Sequence, residues 1–99
     1  MEREVVFAPE AQDDLLQLHD YIAEQSNGER ARGFAQSIIE YCASFSTFPE
    51  RGTKRDYIRP GLRTVGYRRR VTIAFHVTED RVVIDRILYA GRDLEKAFR

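Results

Sequence analysis

Residues 62–89 read LRTVGYRRRVTIAFHVTEDRVVIDRILY, and this stretch decides the fold. Polar and apolar residues alternate over 70–77. Because successive side chains of a strand point to opposite faces, one face takes four apolar residues: Val71, Ile73, Phe75 and Val77. LRTVG at 62–66 and VVIDRILY at 82–89 also have the composition of strands, and TEDR separates the last two strands. The stretch therefore predicts a three-stranded antiparallel meander.

Two amphipathic helices precede the meander. In residues 9–25, PEAQDDLLQLHDYIAEQ, apolar residues at helical spacing predict one core-facing stripe: Ala11, Leu15, Leu18 and Ile22. Acidic residues near its start complement the positive end of the helix dipole: Glu10, Asp13 and Asp14. Ser26 and Glu29 form an S-x-x-E capping pattern that begins a second helix. This helix ends before Pro49, and its predicted core face consists of Ala31, Phe34, Ile38, Tyr41 and Phe45.

These elements predict an α+β fold with one domain spanning residues 1–99. EVVFA at 4–8 is a short strand that Pro9 ends, so the predicted order is β-α-α-β-β-β. The helices form an antiparallel hairpin on one face of a mainly antiparallel sheet, and this two-layer arrangement buries both amphipathic stripes. Leu94 and Phe98 are four residues apart and predict a short C-terminal helix.

Composition and motifs exclude several classes of protein. With 42% hydrophobic and 32% charged residues, the chain has the composition of a folded domain. Cys42 is the only cysteine, which excludes an internal disulfide and a cysteine-based zinc site and suits a cytoplasmic protein. The longest uncharged stretch, YCASFSTFP, is shorter than the roughly 18 apolar residues of a membrane span, so we expect no membrane role. No nucleotide, hydrolase or zinc-protease motif is present, and we expect no cofactor and no metal.

The charges divide between the two halves of the chain. Residues 1–50 carry ten acidic and three basic side chains, whereas residues 51–99 carry six acidic and 13 basic ones. This division indicates either a basic surface that meets an acidic partner or two halves that pair with each other. The candidate partner-binding residues are the basic side chains on or beside the strands: Arg68, Arg69, Arg70, Arg86 and Arg92.

Each arginine also has a structural interpretation. In this alternative interpretation, Arg68 and Arg69 are solvated residues of a hairpin turn, and Arg70 is paired with an acid such as Asp85. Arg86 lies on a mostly apolar face, so it requires a carboxylate from this chain or from a bound protein.

A metal-free ribonuclease needs a base, an acid and a cation at one phosphodiester. The candidate set for this activity is Arg63, Arg70, Arg86 and Tyr89. His76 shares the strand of Arg70 but lies about 20 Å along it, so these two cannot serve one phosphate.

Several blocks of the sequence resemble the RelE/ParE superfamily of toxins from bacterial type II toxin–antitoxin systems. The blocks are VVFAPEAQDDLLQLHDYIAEQS, FPERG, RPGLRTVGYRRRVTIAFHV, RVVIDRILY and GRDLEKAF, in the family order. The resemblance implies the RelE/ParE-like fold and a cognate antitoxin, ParD-like or similar, whose C-terminal segment wraps the toxin in a hetero-oligomer. The Pro-Glu-Ala opening and the GRDLE tail are similar to ParE-like members.

Family members act on two targets. Resemblance to the ParE-like group implies that the toxin inhibits DNA gyrase by protein–protein contact and has no catalytic residue of its own. The RelE-like group implies a ribosome-dependent, metal-independent mRNA endonuclease, for which Arg63, Arg70, Arg86 and Tyr89 match by position. The sequence departs from that second group because LYAGRD offers only Tyr89 and no later tyrosine follows. We therefore expect a gyrase inhibitor, with the ribosome and its mRNA as the alternative target.

Overall fold

A computed structural model of the chain describes residues 2–98 and confirms the α+β fold class. The three helices and five strands, in chain order, are β1 (Glu4–Phe7), α1 (Pro9–Gln25), α2 (Gly28–Ala43), β2 (Thr53–Lys54), β3 (Arg63–Tyr67), β4 (Val71–Val77), β5 (Arg81–Tyr89) and α3 (Leu94–Ala97). A single 3-10 turn, Ser44–Ser46, extends α2. The predicted meander is therefore β3-β4-β5, and α3 is the predicted C-terminal helix.

The sheet has the strand order β1-β5-β4-β3-β2. β1 runs parallel to β5, and the remaining neighbours are antiparallel. β2 is absent from the predicted order β-α-α-β-β-β, which is wrong at this point. Its two residues are too short to produce a periodic pattern, and both are exposed at the edge of the sheet. Pairing with β3 alone makes this segment a strand.

The two long helices cover one face of the sheet and form a single core with it. All four predicted core residues of β4 contribute, with Val77 at the margin of the core. The helical side contributes Ala11, Leu18, Ile38, Cys42 and Phe45, and β5 contributes Val82, Ile84 and Ile87. Burial raises the pKa of the Cys42 thiol to about 12, so this thiol stays protonated and packs as a small apolar group.

A β-bulge in β5 changes which of its side chains face the helices. Phe75 of β4 pairs with Ile84, whereas Ala74 pairs with Arg86, so Asp85 is an extra residue on β5. A strictly alternating strand puts Ile84 and Ile87 on opposite faces. The bulge brings both into the same core, so strict alternation does not hold along β5 beyond Ile84.

The second helix begins one residue later than its capping pattern predicts. Asn27 is the N-cap, and its side-chain oxygen accepts a 2.8 Å hydrogen bond from the backbone N–H of Arg30. The predicted capping box of Ser26 and Glu29 is therefore wrong by one residue. An N-cap side chain binds the amide three residues further on, and that relation holds for Asn27 and Arg30. None of the helices within 2–98 has both the length and the hydropathy that a bilayer crossing requires.

Candidate protein-interaction surfaces

The most buried charged side chain of the described part is a carboxylate on α1, Asp14, which is 3% exposed. β1 ends opposite Ile84, so the next part of β5 pairs with β4 on one edge and has no strand on the other. Asp14 occupies that place, and its Oδ2 accepts a 2.9 Å hydrogen bond from the backbone N–H of Ile87. The carboxylate therefore satisfies a strand amide that otherwise has no partner.

Two arginines converge on the same carboxylate. Arg86 binds it through two parallel hydrogen bonds, Nε to Oδ2 at 2.7 Å and Nη2 to Oδ1 at 2.8 Å, and Arg92 approaches Oδ1 at 3.3 Å. Arg86 also donates from Nη1 to the carbonyl oxygen of Ala97, 3.1 Å away. The Asp14 cluster, defined by Asp14, Arg86 and Arg92, thus joins α1, β5 and the C-terminal segment.

The protonation equilibria of the cluster follow from this geometry. Burial alone raises the pKa of Asp14, but the hydrogen bonds from Arg86 and Ile87 and the charges of Arg86 and Arg92 outweigh it, so the net pKa lies below 3.8. The hydrogen bond to Asp14 raises the pKa of Arg86 above its ordinary value. Both groups are therefore ionised in the folded protein near neutral pH. The carboxylate that the sequence requires for Arg86 comes from this chain.

The other arginines of the predicted partner-binding set lie in the turn between β3 and β4. Arg68 and Arg69 both have positive φ, 50° and 63°, and the N–H of Arg70 closes the turn on the carbonyl of Tyr67 at 3.3 Å. Such a turn favours Asn-Gly, because a Cβ in the left-handed region is strained. Arg68 lies over the rings of Tyr67 and Phe34, with its Cζ 5.2 and 5.8 Å from their centroids.

Beside this turn lies a basic depression of about 390 Å³, which we call the arginine pocket. Its walls include side chains from both helices, the turn and the end of β5: Ile22, Arg30, Phe34, Arg68, Arg70 and Tyr89. None of its three arginines forms an ion pair with a carboxylate of residues 2–98. Arg69 is at the tip of the same turn and does not line the pocket.

Of the four residues predicted for phosphate chemistry, the structure brings together only Arg70 and Tyr89, which both line the arginine pocket. Arg63 faces the helices because it pairs with the core residue Phe75, and its Nη1 lies 3.3 Å from the carbonyl oxygen of Arg51. Its position along the strand is about 16 Å from Arg70. Tyr89 packs its ring against Tyr21, with centroids 5.7 Å apart. The fourth member, Arg86, is bound by Asp14, so the set forms no common phosphate site.

A His-Asp pair was not anticipated from the sequence. Nδ1 of His76 lies 2.7 Å from Oδ2 of Asp85, whose side chain is nearly buried. Burial raises the pKa of Asp85, and the hydrogen bond to His76 only partly offsets this effect. Arg70 forms no ion pair with Asp85, so the suggested pairing of these two residues is wrong. The pair joins β4 to β5, and alternation along a single strand carries no signal of which residues two neighbouring strands bring together.

An apolar groove of about 690 Å³ runs along the outer side of the helical hairpin and β1. The groove, called here the hairpin groove, is lined mainly by Val5, Phe7, Leu15, Leu16, Ala35 and Ile39. Leu16 projects into it with 64% of its surface exposed. β1 pairs only with β5, so its other edge faces this side of the molecule. An exposed apolar surface beside a sheet edge is typical of a protein-binding site.

These surfaces define a small α+β domain suited to protein contacts: an apolar groove, a basic pocket and a buried ion cluster that secures the C-terminal segment. No three His, Cys, Asp or Glu side chains of residues 2–98 are grouped so that they could hold a metal ion.

The family model described as "ParE toxin of type II toxin-antitoxin system, parDE" matches residues 5–94. The chain therefore belongs to the ParE toxin family, which confirms the resemblance seen in the sequence.

The fold agrees with that membership. A chain of the solved structure "Chromosomal ParDE TA system from P. aeruginosa" superposes on this protein with a TM-score of 0.79 and 23% sequence identity. The match covers 91% of this chain and 98% of that chain. At this identity the match shows a shared fold. A search among curated proteins found no match.

Proposed function

We propose that this ParE-family chain inhibits DNA gyrase by protein–protein contact and that a cognate ParD-like antitoxin neutralises it in a cytoplasmic hetero-oligomer. The observation that carries the proposal is the family match over residues 5–94. Arg63 and Arg86 lie away from the pocket that Arg70 and Tyr89 share, which supports a toxin that acts by contact, since phosphodiester cleavage needs its groups at one phosphate.

The hairpin groove is the proposed seat of the antitoxin. It is an apolar depression of about 690 Å³, and Leu16 is exposed at its rim. Burying such a surface under a partner's apolar side chains releases water and stabilises the complex, at roughly 25 cal/mol for each Å² of apolar surface. The groove's position beside β1 also lets a partner use the unpaired edge of that strand.

Among the predicted partner-binding residues, two kinds of role are proposed. Arg68, Arg69 and Arg70 lie in an accessible turn and contact partners directly. Arg86 and Arg92 act indirectly, because their guanidinium groups are bound to Asp14 and hold the segment that leads to α3.

The target is tested with antitoxin-free protein in two assays run side by side. The first combines gyrase, ATP and plasmid, and the second uses ribosomes with bound mRNA. We expect loss of supercoiling or protein-linked linear DNA in the first assay and intact RNA in the second. Cut mRNA with unaffected plasmid would replace the gyrase inhibitor with the ribosome-dependent endonuclease.

The antitoxin seat is tested by Leu16→Glu, which places a charge in the groove. We expect Leu16→Glu to keep its action on gyrase but to escape neutralisation by the antitoxin. Tyr57→Glu is the matched control, because Tyr57 is also exposed, at 70%, and does not line the groove. Equal neutralisation of both variants would show that the antitoxin binds elsewhere.

A further inference from the structure

The hairpin groove and the arginine pocket are connected along the surface of the helical hairpin. A shallow depression between them shares His19, Ala35 and Ile39 with the groove. The same depression shares Gly33 with the arginine pocket. Gly33 has no side chain, and no atom lies within 4 Å of where its Cβ would be, so the surface stays open there. The three depressions form one track that passes from an apolar end to a basic end.

The basic end is built to receive anionic groups. Arg30, Arg68 and Arg70 reach it from α2 and from the β3–β4 turn, and no carboxylate of residues 2–98 pairs with them. Ile22 and Phe34 supply apolar surface between these charges. Guanidinium groups bind carboxylates through paired hydrogen bonds, and the bonds are strongest where neighbouring surface excludes water.

The backbone of the turn supports a role in binding. Arg68 and Arg69 occupy the left-handed region, where residues other than glycine are disfavoured. Arginine at these positions therefore costs stability relative to the Asn-Gly pair that the turn prefers. Strain of this kind concentrates at positions retained for recognition.

The surroundings favour a polypeptide ligand over nucleic acid. Nucleic acids bind along extended basic surfaces that neutralise several phosphates in a row. The basic side chains of the track are few, with Arg30, Arg68 and Arg70 at one end and Arg32 in the connecting depression. Exposed acidic residues lie on the same helices: Asp13, Asp20, Glu24 and Glu29, of which Glu29 lines the connecting depression. These carboxylates repel a phosphate backbone that runs along the surface, whereas a peptide needs only a short acidic segment to fill the pocket.

We infer that the arginine pocket binds the carboxylates of an acidic segment in the same polypeptide whose apolar side chains occupy the hairpin groove. The groove half of this inference rests on the proposed function, whereas the anion specificity of the pocket does not. Ile39 and Arg30 both lie on α2, about 14 Å apart along its axis at 1.5 Å per residue. A partner therefore carries its acidic residues about four extended residues, or about nine helical ones, from its groove-binding side chains.

The pocket is tested by NMR titration of the ¹⁵N-labelled full chain, with the arginine Nε–H signals as the readout. The probes are the peptide LEEEEL, its neutral counterpart LQQQQL and a short DNA duplex. We expect only LEEEEL to shift the signals of Arg30, Arg68 and Arg70 progressively. Equal shifts from LQQQQL would overturn charge recognition, and tighter binding of the duplex at the same signals would reassign the pocket to nucleic acid.

A matched pair of variants locates the contact. Arg68→Gln and Arg69→Gln remove the same charge from neighbouring positions that both have positive φ, but only Arg68 lines the pocket. We expect Arg68→Gln to weaken the binding of LEEEEL about tenfold and Arg69→Gln to weaken it by less than about twofold. Equal losses would show that only general charge attraction operates.

The two-part nature of the track is tested with the cognate antitoxin. Replacing its acidic residues by amides should weaken the wild-type complex more than the complex with Arg68→Gln, in which Arg30 and Arg70 alone still bind the acidic segment. Equal weakening of both complexes would show that the acidic segment binds outside the pocket. Absence of gyrase inhibition would contradict the proposed function and leave the peptide titration intact, so the two failures are distinguishable.

Discussion

Two groups of arginines in this domain illustrate opposite uses of the same side chain. In the Asp14 cluster, Arg86 is 17% exposed and its guanidinium is bound by a buried carboxylate. In the β3–β4 turn, Arg68 and Arg70 line a pocket and pair with no carboxylate of the described chain. The first group joins elements of the fold, and the second remains accessible to partners. The position of one acidic residue, Asp14, accounts for this difference.

The largest expected effect comes from removing that acidic residue. Asp14→Ala leaves Arg86 without its counter-charge and the N–H of Ile87 without an acceptor. Deleting one member of a buried ion pair costs about 3–5 kcal/mol, and we expect a loss of that size in the free energy of unfolding. Urea denaturation monitored by circular dichroism measures it.

Asp13→Ala is the control for that substitution, because Asp13 is an exposed neighbour on the same helix. We expect it to change the free energy of unfolding by no more than about 0.5 kcal/mol. Similar losses for the two variants would mean that the Asp14 cluster contributes no more to stability than a surface charge.

The pH dependence of stability sharpens the comparison further. Because the folded-state pKa of Asp14 is lowered, the unfolded chain binds more protons at acidic pH. The stability that the ionised carboxylate contributes is complete above the unfolded pKa of 3.8 and is lost as the pH falls through the lower folded-state value. The difference in unfolding free energy between wild type and Asp14→Asn should therefore be constant near neutrality and shrink below about pH 4.

Unfolding curves of both proteins between pH 7 and pH 2.5 test this expectation. The raised pKa of Asp85 acts with the opposite sign, since its contribution is present at low pH and is lost as the pH rises. Both proteins retain Asp85, so its effect cancels in the difference. A difference that stays constant down to pH 2.5 would show that the charge of Asp14 is not what stabilises the fold.

The smallest expected change in stability belongs to the turn. Arg68→Asn with Arg69→Gly supplies the residues that a turn with two positive φ angles prefers, and we expect stabilisation by about 1 kcal/mol. Thermal unfolding measures it. The control, Arg68→Gln with Arg69→Gln, removes the same charges but keeps the strained backbone. Equal stabilisation by both pairs would attribute the cost of the arginines to charge repulsion.

Local sequence patterns were sufficient to predict an element and its core residues where the period of that element repeats over many residues. The helical stripe of α1 and the alternation of β4 both led to core residues that the structure confirms, among them Leu18 and Phe75. The same reasoning missed β2, since two residues define no period. It also placed the N-cap of α2 at Ser26 when the cap is Asn27, because Ser and Asn are both good caps and lie side by side.

The functional surfaces were predictable only in part. The basic turn at Arg68–Arg70 is visible in the sequence, and so is the need of Arg86 for a carboxylate. The identity of that carboxylate was not visible. Asp14 is separated from Arg86 by 72 residues and looks like an ordinary helix-dipole residue until α1 is placed beside the end of β1.

The sequence by itself determined the two long helices, the three-stranded meander, the two-layer fold and the family resemblance, because these depend on periods and motifs that repeat along neighbouring residues. Tertiary structure decided how the charges are used. The end of β1 opposite Ile84 leaves a strand amide for Asp14 to bind, and the pairing of β4 with β5 brings His76 beside Asp85. Contacts between distant segments depend on where strands end and on register. A pattern confined to one segment carries neither kind of information.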